Sequence, residues 1–187
     1  MQNGSPSGFA ATDKMAVHRK YLQLDTDCRI LHSEDMKKIT RPGWDRYFID
    51  IATAVSARGN CRRRKVAAVI VKDNRIISTG YNGTPRGITN CDEGGCKRCA
   101  GNSPSGKELS ECVCSHAEEN AITQAAYHGI ALKDSTMYST LSPCLICAKM
   151  IINSGIKRVV YDKEYEFHIQ IKALFKKAGI KFQRLSH

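Results

Sequence analysis

The hydrophobic pattern has no clean period over residues 1–40 and becomes regular from Pro42 onward. The opening MQNGSPSGFAATDK is rich in small and polar residues, so 1–40 is expected to be a largely disordered N-terminal extension, with the folded domain at 41–187. His18 and Cys28 in that extension have no neighbours at ligand spacing and read as surface side chains. Trp44, Tyr47, Phe48, Ile51, Ala52 and Val55 then repeat at three and four residues, predicting an amphipathic helix that ends by Gly59 and turns its aromatic stripe to the core. Val66 to Val71 is an unbroken apolar run rich in β-branched residues, Lys72-Asp73-Asn74 has turn chemistry, and Arg75 to Thr79 returns as a second strand. Gly80-Tyr81-Asn82-Gly83-Thr84-Pro85 reads as the turn closing the far end of that hairpin.

Residues 86–114 form a long irregular insertion holding Cys91, Cys96, Cys99, Cys112 and Cys114. From Ser115, SHAEENAITQAAYHG predicts a helix with Ala117, Ala121, Ile122 and Ala125 on one stripe and Gly129 as its stop. Thr136 to Leu141 reads as a strand, Pro143 as the first position of a helix running to Ser154-Gly155, and Lys157 to Tyr161 as a strand. Tyr165 to Ala178 is helical in pattern, Gly179 stops it, and Ile180 to Leu185 is the last strand. Strands separated by helices need crossover connections, so the last three strands should be parallel. The expected fold is α/β: a mixed five-stranded sheet between helices in three α/β/α layers, with its site at the carboxyl edge where helix starts meet.

Composition narrows the class. The chain has 187 residues with 42% hydrophobic content and mean hydropathy −0.37, as expected of one soluble domain. No apolar leader occurs in the first 35 residues, and no stretch reaches membrane-spanning length. Nine cysteines in such a chain suggest metal ligands in a reducing compartment, hence a cytoplasmic protein, more than a secreted disulfide framework. The net charge of +11 would attract a nucleotide phosphate or RNA. Its densest run, Arg62-Arg63-Arg64-Lys65, and the scattered Lys172, Lys176, Lys177, Lys181 and Arg184 read as solvated surface. Alternating exposed aromatics are missing, so a dedicated single-strand RNA platform is not expected.

Two short stretches hold the chemistry, His116-Ala117-Glu118 and Pro143-Cys144-Leu145-Ile146-Cys147. Imidazole and two thiolates are good zinc ligands, and catalytic zinc keeps three protein ligands and one open position. His116, Cys144 and Cys147 supply the three, and Glu118 can serve as proton carrier without occupying the metal. A helix N-terminus beside the cysteines favours their thiolate form. A CxxC alone also fits a redox or structural site, but a structural zinc knot gives Glu118 no role. His-x-Glu with Pro-Cys-x-x-Cys is the signature of zinc nucleobase deaminases.

In the insertion, Cys96-Lys-Arg-Cys99 has the spacing of a zinc knuckle, and Cys91 and Cys112 can complete a second, structural zinc site. A disulfide pair, or Cys114 in place of Cys91 or Cys112, are the alternatives. Gly-Tyr-Asn-Gly lets backbone approach a ligand, and the Asn82 amide can both donate to and accept from a sugar hydroxyl.

From about Gly43 onward the chain resembles the deoxycytidylate deaminases of the cytidine deaminase-like superfamily. The matching stretches are Val66 to Val71, Gly80 to Pro85, His116 to Ala121, Thr140 to Lys149 and Ser154 to Tyr161. Ala67 stands where the family commonly has glycine. The resemblance implies a cytidine deaminase-like fold and zinc-dependent hydrolysis of dCMP to dUMP and ammonia, which supplies dUMP for thymidylate synthesis. It implies zinc at His116, Cys144 and Cys147, with Glu118 as acid and base. It further implies substrate or effector contacts from Asn82 and Tyr165, regulation by dCTP and dTTP with Mg accompanying a dCTP effector, and a homo-oligomer, commonly a hexamer. A tRNA adenosine-type deaminase, dCTP as substrate, and a non-catalytic zinc-stabilised binding module are the rival readings. A nucleic-acid or membrane partner is not expected.

Overall fold

The computed structural model describes residues 41–104, 108–164 and 168–186. The proposed extension at 1–40, with His18 and Cys28, lies outside the described residues, as does Tyr165. The elements run α1 (Trp44–Ser56), β1 (Ala67–Lys72), β2 (Arg75–Tyr81), a short α2 (Lys97–Ala100), α3 (Ala117–Tyr127), β3 (Thr136–Leu141), α4 (Leu145–Asn153), β4 (Arg158–Lys163), α5 (His168–Lys177) and β5 (Lys181–Arg184). The sheet order is β2-β1-β3-β4-β5. β1 is antiparallel to β2 and β3, whereas β3, β4 and β5 are parallel, as the alternation of strand and helix requires.

β1 is buried on both faces, which explains its unbroken apolar run. Val69 and Val71 face α1, packing with Phe48, Ile49, Ala52, Tyr138 and Val160. Ala68 and Ile70 point the other way, into a larger core with Ala117, Ala121, Met137, Ile151, Val159 and Phe175 from β3, β4, α3, α4 and α5. The result is three layers, helix, sheet and helices.

Several boundaries differ from the sequence pattern for local reasons. The aromatic stripe of α1 does not bury as a unit: Phe48 is 1% exposed, but Trp44 is 56% and Tyr47 44% exposed, flanking Phe48 at ring-centroid distances of 5.6 and 5.1 Å. Asp73 and Asn74 both adopt left-handed φ, +51° and +56°, the tight hairpin turn their polar side chains tolerate. β2 continues through Gly80 and Tyr81, which pair with Ala68 and Ala67, where the sequence suggested a turn. Gly80 belongs there because α3 crosses the strand so closely that a Cβ would lie 2.3 Å from both the Ala117 carbonyl oxygen and the Ala121 nitrogen. The 86–114 insertion is not wholly irregular, since α2 and two single 3₁₀ turns fall within it. No helix among the described residues is long and apolar enough to cross a membrane.

Candidate active site

His116 is the N-cap of α3 and Cys144 the N-cap of α4, so both helices begin one residue after a ligand candidate. Pro143 therefore precedes the cap instead of opening the helix: the extended backbone of Cys144 puts the first helical turn at Leu145. Glu119, at the third position of α3, accepts from the His116 backbone N–H at 3.2 Å and pins the start of the helix. Cys147 lies one turn into α4 and is fully buried. His116 Nδ1 is 3.3 Å from Cys144 Sγ and 3.4 Å from Cys147 Sγ. Tetrahedral zinc with ordinary Zn–N and Zn–S bonds sets nitrogen and sulfur roughly 3.5 Å apart, so the three donors already have the spacing that ion needs.

The electrostatics of the three ligands and Glu118 follow from their crowding. Cys144 is pulled down to about 4 by hydrogen bonding to Cys147 and then to His116, against the effect of burial. His116 is raised to about 9, chiefly by its hydrogen bond to Cys144. Cys147 is pushed up by its bond to Cys144 and by burial. A thiolate next to an imidazole is the donor set a divalent cation takes over by displacing protons. Glu118 is 4% exposed, and burial raises its carboxyl to about 7. That is the range in which a carboxyl can both accept and return a proton near neutral pH.

His116, Cys144 and Glu118 share a cavity of about 270 Å³, just under the range of ligand pockets of ~300–1,000 Å³. Its lining includes His116, Ala117, Glu118 and Cys144, together with Asn82, Leu141 and Ser142 and the arginines Arg63, Arg64 and Arg98. Asn82 Oδ1 accepts from the Val66 amide at 2.9 Å, and its Nδ2 donates to the Arg64 carbonyl at 2.7 Å. The turn after Asn82 is tied to the catalytic helix by paired backbone bonds between Gly83 and Ser115, the residue preceding His116.

The cysteines of the insertion also converge. Cys96, Cys99 and Cys112 gather with Cys114, and Cys91 gathers with Cys99, Cys114 and Cys61. Cys61 carried no signal in the sequence, because it stands 30 residues before Cys91, the first cysteine of the insertion. Arg63 and Arg64 were read as solvated surface. Their place follows from β1 being antiparallel to β3: the segment entering β1 arrives beside the carboxyl end of β3, where Cys144 begins.

Residues 42–163 match the model of the cytidine and deoxycytidylate deaminase zinc-binding region. The chain is 45% identical over 144 residues to the deoxycytidylate deaminase of Schizosaccharomyces pombe, covering 77% of this chain and 44% of that protein. To the deoxycytidylate deaminase of Saccharomyces cerevisiae it is 41% identical over 165 residues, covering 87% and 52%. The chain thus spans about half the length of these curated relatives. A crystal structure of dCMP deaminase from the cyanophage S-TIM5, in complex with dCMP and dUMP, superposes with a TM-score of 0.65 at 31% identity, covering 78% of this chain and 99% of that one. With the matched region running from α1 through β4 and holding both ligand-bearing helix starts, the chain belongs to the cytidine and deoxycytidylate deaminase family.

Proposed function

We propose that this protein hydrolyses dCMP to dUMP and ammonia. The observation that carries the reading is the buried Glu118 carboxyl beside the His116, Cys144 and Cys147 donors, at a cavity lined by three arginines. The relative from cyanophage S-TIM5, solved with dCMP and dUMP, supports the substrate.

His116, Cys144 and Cys147 would hold the zinc, which supplies Lewis acidity and lowers the pKa of water at its open position to about 7. Glu118 takes a proton from the attacking water and passes it to ring N3, which makes C4 electrophilic. The oxygen adds to C4, Glu118 takes the proton that this oxygen still carries and delivers it to the exocyclic amine, and the C4–N bond breaks as the C4 carbonyl forms, releasing ammonia. Burial keeps Glu118 poised between its two protonation states for both transfers. Arg63, Arg64 and Arg98 would supply planar donors to a phosphate, and Asn82, which lines the same cavity with its amide bonded to Val66 and Arg64, would contact the deoxyribose or a neighbouring effector.

The remaining parts of the proposal extend the same site. Tyr165 contributes a phosphate contact, dCTP and dTTP regulate turnover with Mg accompanying dCTP, and the dUMP formed feeds thymidylate synthesis in the cytoplasm. A structural zinc would be held by the cysteines of the insertion, but not by the expected set of Cys91, Cys96, Cys99 and Cys112, because Cys91 groups with Cys61, Cys99 and Cys114 while Cys96 and Cys112 group with Cys99 and Cys114. The exposed Leu145, Ile146 and Tyr127 support self-association, with a hexamer the expected assembly. The extension at 1–40 lies outside the deaminase domain at 41–187.

Ammonia release from cytidine, deoxycytidine, dCMP and dCTP, with and without dCTP or dTTP as effector, tests the assignment. dCMP should be preferred over the unphosphorylated nucleosides. Equal turnover of deoxycytidine and dCMP would remove the arginines from the account, and turnover of tRNA in place of any free nucleotide would overturn the substrate class.

A further inference from the structure

The interior of the insertion is made of sulfur. Cys91, Cys96, Cys99 and Cys114 are buried, Cys61 and Cys112 pack against them, and among the described residues this cluster includes no aliphatic or aromatic side chain. Thiols alone give a segment of this length little apolar area with which to offset the entropy of ordering it. All six are free of disulfides. Sγ of Cys99 lies 3.8 Å from that of Cys61 and 3.7 Å from that of Cys112, and Cys96 and Cys112 are 3.9 Å apart, nearly twice the ~2.05 Å of a disulfide. Four thiolates arranged tetrahedrally about zinc at ~2.3 Å are separated by about 3.8 Å. The sulfurs have the spacing of ligands around an ion.

The number of ions follows from how the sulfurs group. Cys61, Cys91, Cys99 and Cys114 form one quartet whose sulfurs all lie within 4.8 Å of one another, and Cys96, Cys99, Cys112 and Cys114 form a second. The quartets share Cys99 and Cys114. Cys61 and Cys91 belong to the first alone, Cys96 and Cys112 to the second alone. Two tetrahedra with a common edge account for all six residues, whereas one ion in either quartet leaves two cysteines beside it without a ligand role.

We propose that these six cysteines hold a binuclear zinc–thiolate cluster, with Cys99 and Cys114 bridging the two ions, Cys61 and Cys91 terminal on one, and Cys96 and Cys112 terminal on the other. Two divalent ions and six thiolates carry two net negative charges, and the surroundings answer them. Backbone N–H groups of Arg63 and Arg64 are directed at Cys61, those of Cys99 and Val113 at Cys96, and the Arg98 side chain at Cys112 and Cys99. Such N–H donors to ligating sulfur are the outer contacts that orient a metal site.

The cluster forms part of the catalytic cavity wall. Cys61, Cys99, Cys112 and Cys114 line the same space as His116 and Glu118. Through Cys61 it clamps the segment that carries Arg63 and Arg64, and through Cys114 it fixes the approach to His116. The assignment deepens the structural-zinc reading above and rests on it.

Metal content of the purified full-length protein, measured by mass spectrometry of the native chain and by elemental analysis, tests it. Three zinc ions per chain are expected, falling to two in His116→Ala. Two in the wild type, falling to one in His116→Ala, would overturn the binuclear cluster while keeping a single structural zinc. One in the wild type would overturn both. Cys61→Ser should lose zinc from the cluster, and an unchanged count would overturn Cys61 as a ligand. Should that variant fail to fold, the wild type loaded with cadmium-113 decides: two cluster resonances split by coupling through shared sulfur are expected, and unsplit resonances would contradict the bridges.

Discussion

The side-chain oxygen of Asn82 accepts the backbone N–H of Val66 at 2.9 Å, joining the loop after β2 to the residue just before β1. Its amide nitrogen donates to the Arg64 carbonyl at 2.7 Å, so one side chain, 8% exposed, holds the arginine-bearing segment against the cavity. Asn82→Ala leaves the Val66 N–H and the Arg64 carbonyl, both in partly buried bonds, without this partner and should cost about 1 kcal/mol of stability, read from urea unfolding. Asn82→Asp sets an acceptor against the Arg64 carbonyl and should be no better. Unchanged stability in both variants would contradict the structural role.

Gly80 is fixed by the crossing of α3 over β2. Gly80→Ala drives a methyl group into the backbone of Ala117 and Ala121, and helix and strand must separate to admit it. Overpacking of this kind costs about 1–3 kcal/mol. The start of α3, which holds His116 and Glu118, must shift as well, so turnover of dCMP should fall more steeply than the melting temperature. A variant as stable and active as the wild type would show that the helix can move without consequence.

Glu118→Gln keeps the size of the side chain and removes its ability to exchange protons. A drop in kcat of about 10²–10⁴-fold is expected, with the zinc content unchanged. Retained turnover would refute its assignment as the acid and base.

Much of this site could be read from the sequence because its information is local. His116 and Glu118 fall within one turn, and so do Cys144 and Cys147, so spacing alone places each pair. The parallel order of β3, β4 and β5 followed from the crossover rule, and β1 was read as a strand from its unbroken apolar run rich in β-branched residues. Cys61 and Arg63 were not legible. Their partners lie across the sheet and in the insertion, and periodicity along the chain contains no term for that distance. Gly80 was misread for the same reason: a glycine demanded by a crossing helix looks, in sequence, like one demanded by a turn.

Asp45, in the first turn of α1, is bound by side chains from three strands. Arg158 Nη1 donates to its Oδ1 at 2.8 Å, Tyr138 to the same oxygen at 3.0 Å, and Gln183 to Oδ2 at 3.3 Å. The hydrogen bond from Arg158 leads in holding its carboxyl below the ordinary value of 3.8, with burial opposing. A depressed carboxyl contributes stability in full above its unfolded pKa and loses it as pH falls through the folded one. The protein should therefore lose stability below about pH 4 as Asp45 protonates. Asp45→Asn should flatten that part of the stability curve measured by urea unfolding at successive pH values. An identical acid limb in the variant would assign the effect to other carboxyls.

The most direct test of the whole reading is conversion of dCMP by the purified protein, followed by the appearance of dUMP and ammonia before and after zinc is stripped by a chelator and restored. One ammonia per dUMP, lost on stripping and recovered with added zinc, is the expected result. A folded, zinc-loaded protein that forms no dUMP from dCMP would contradict the account.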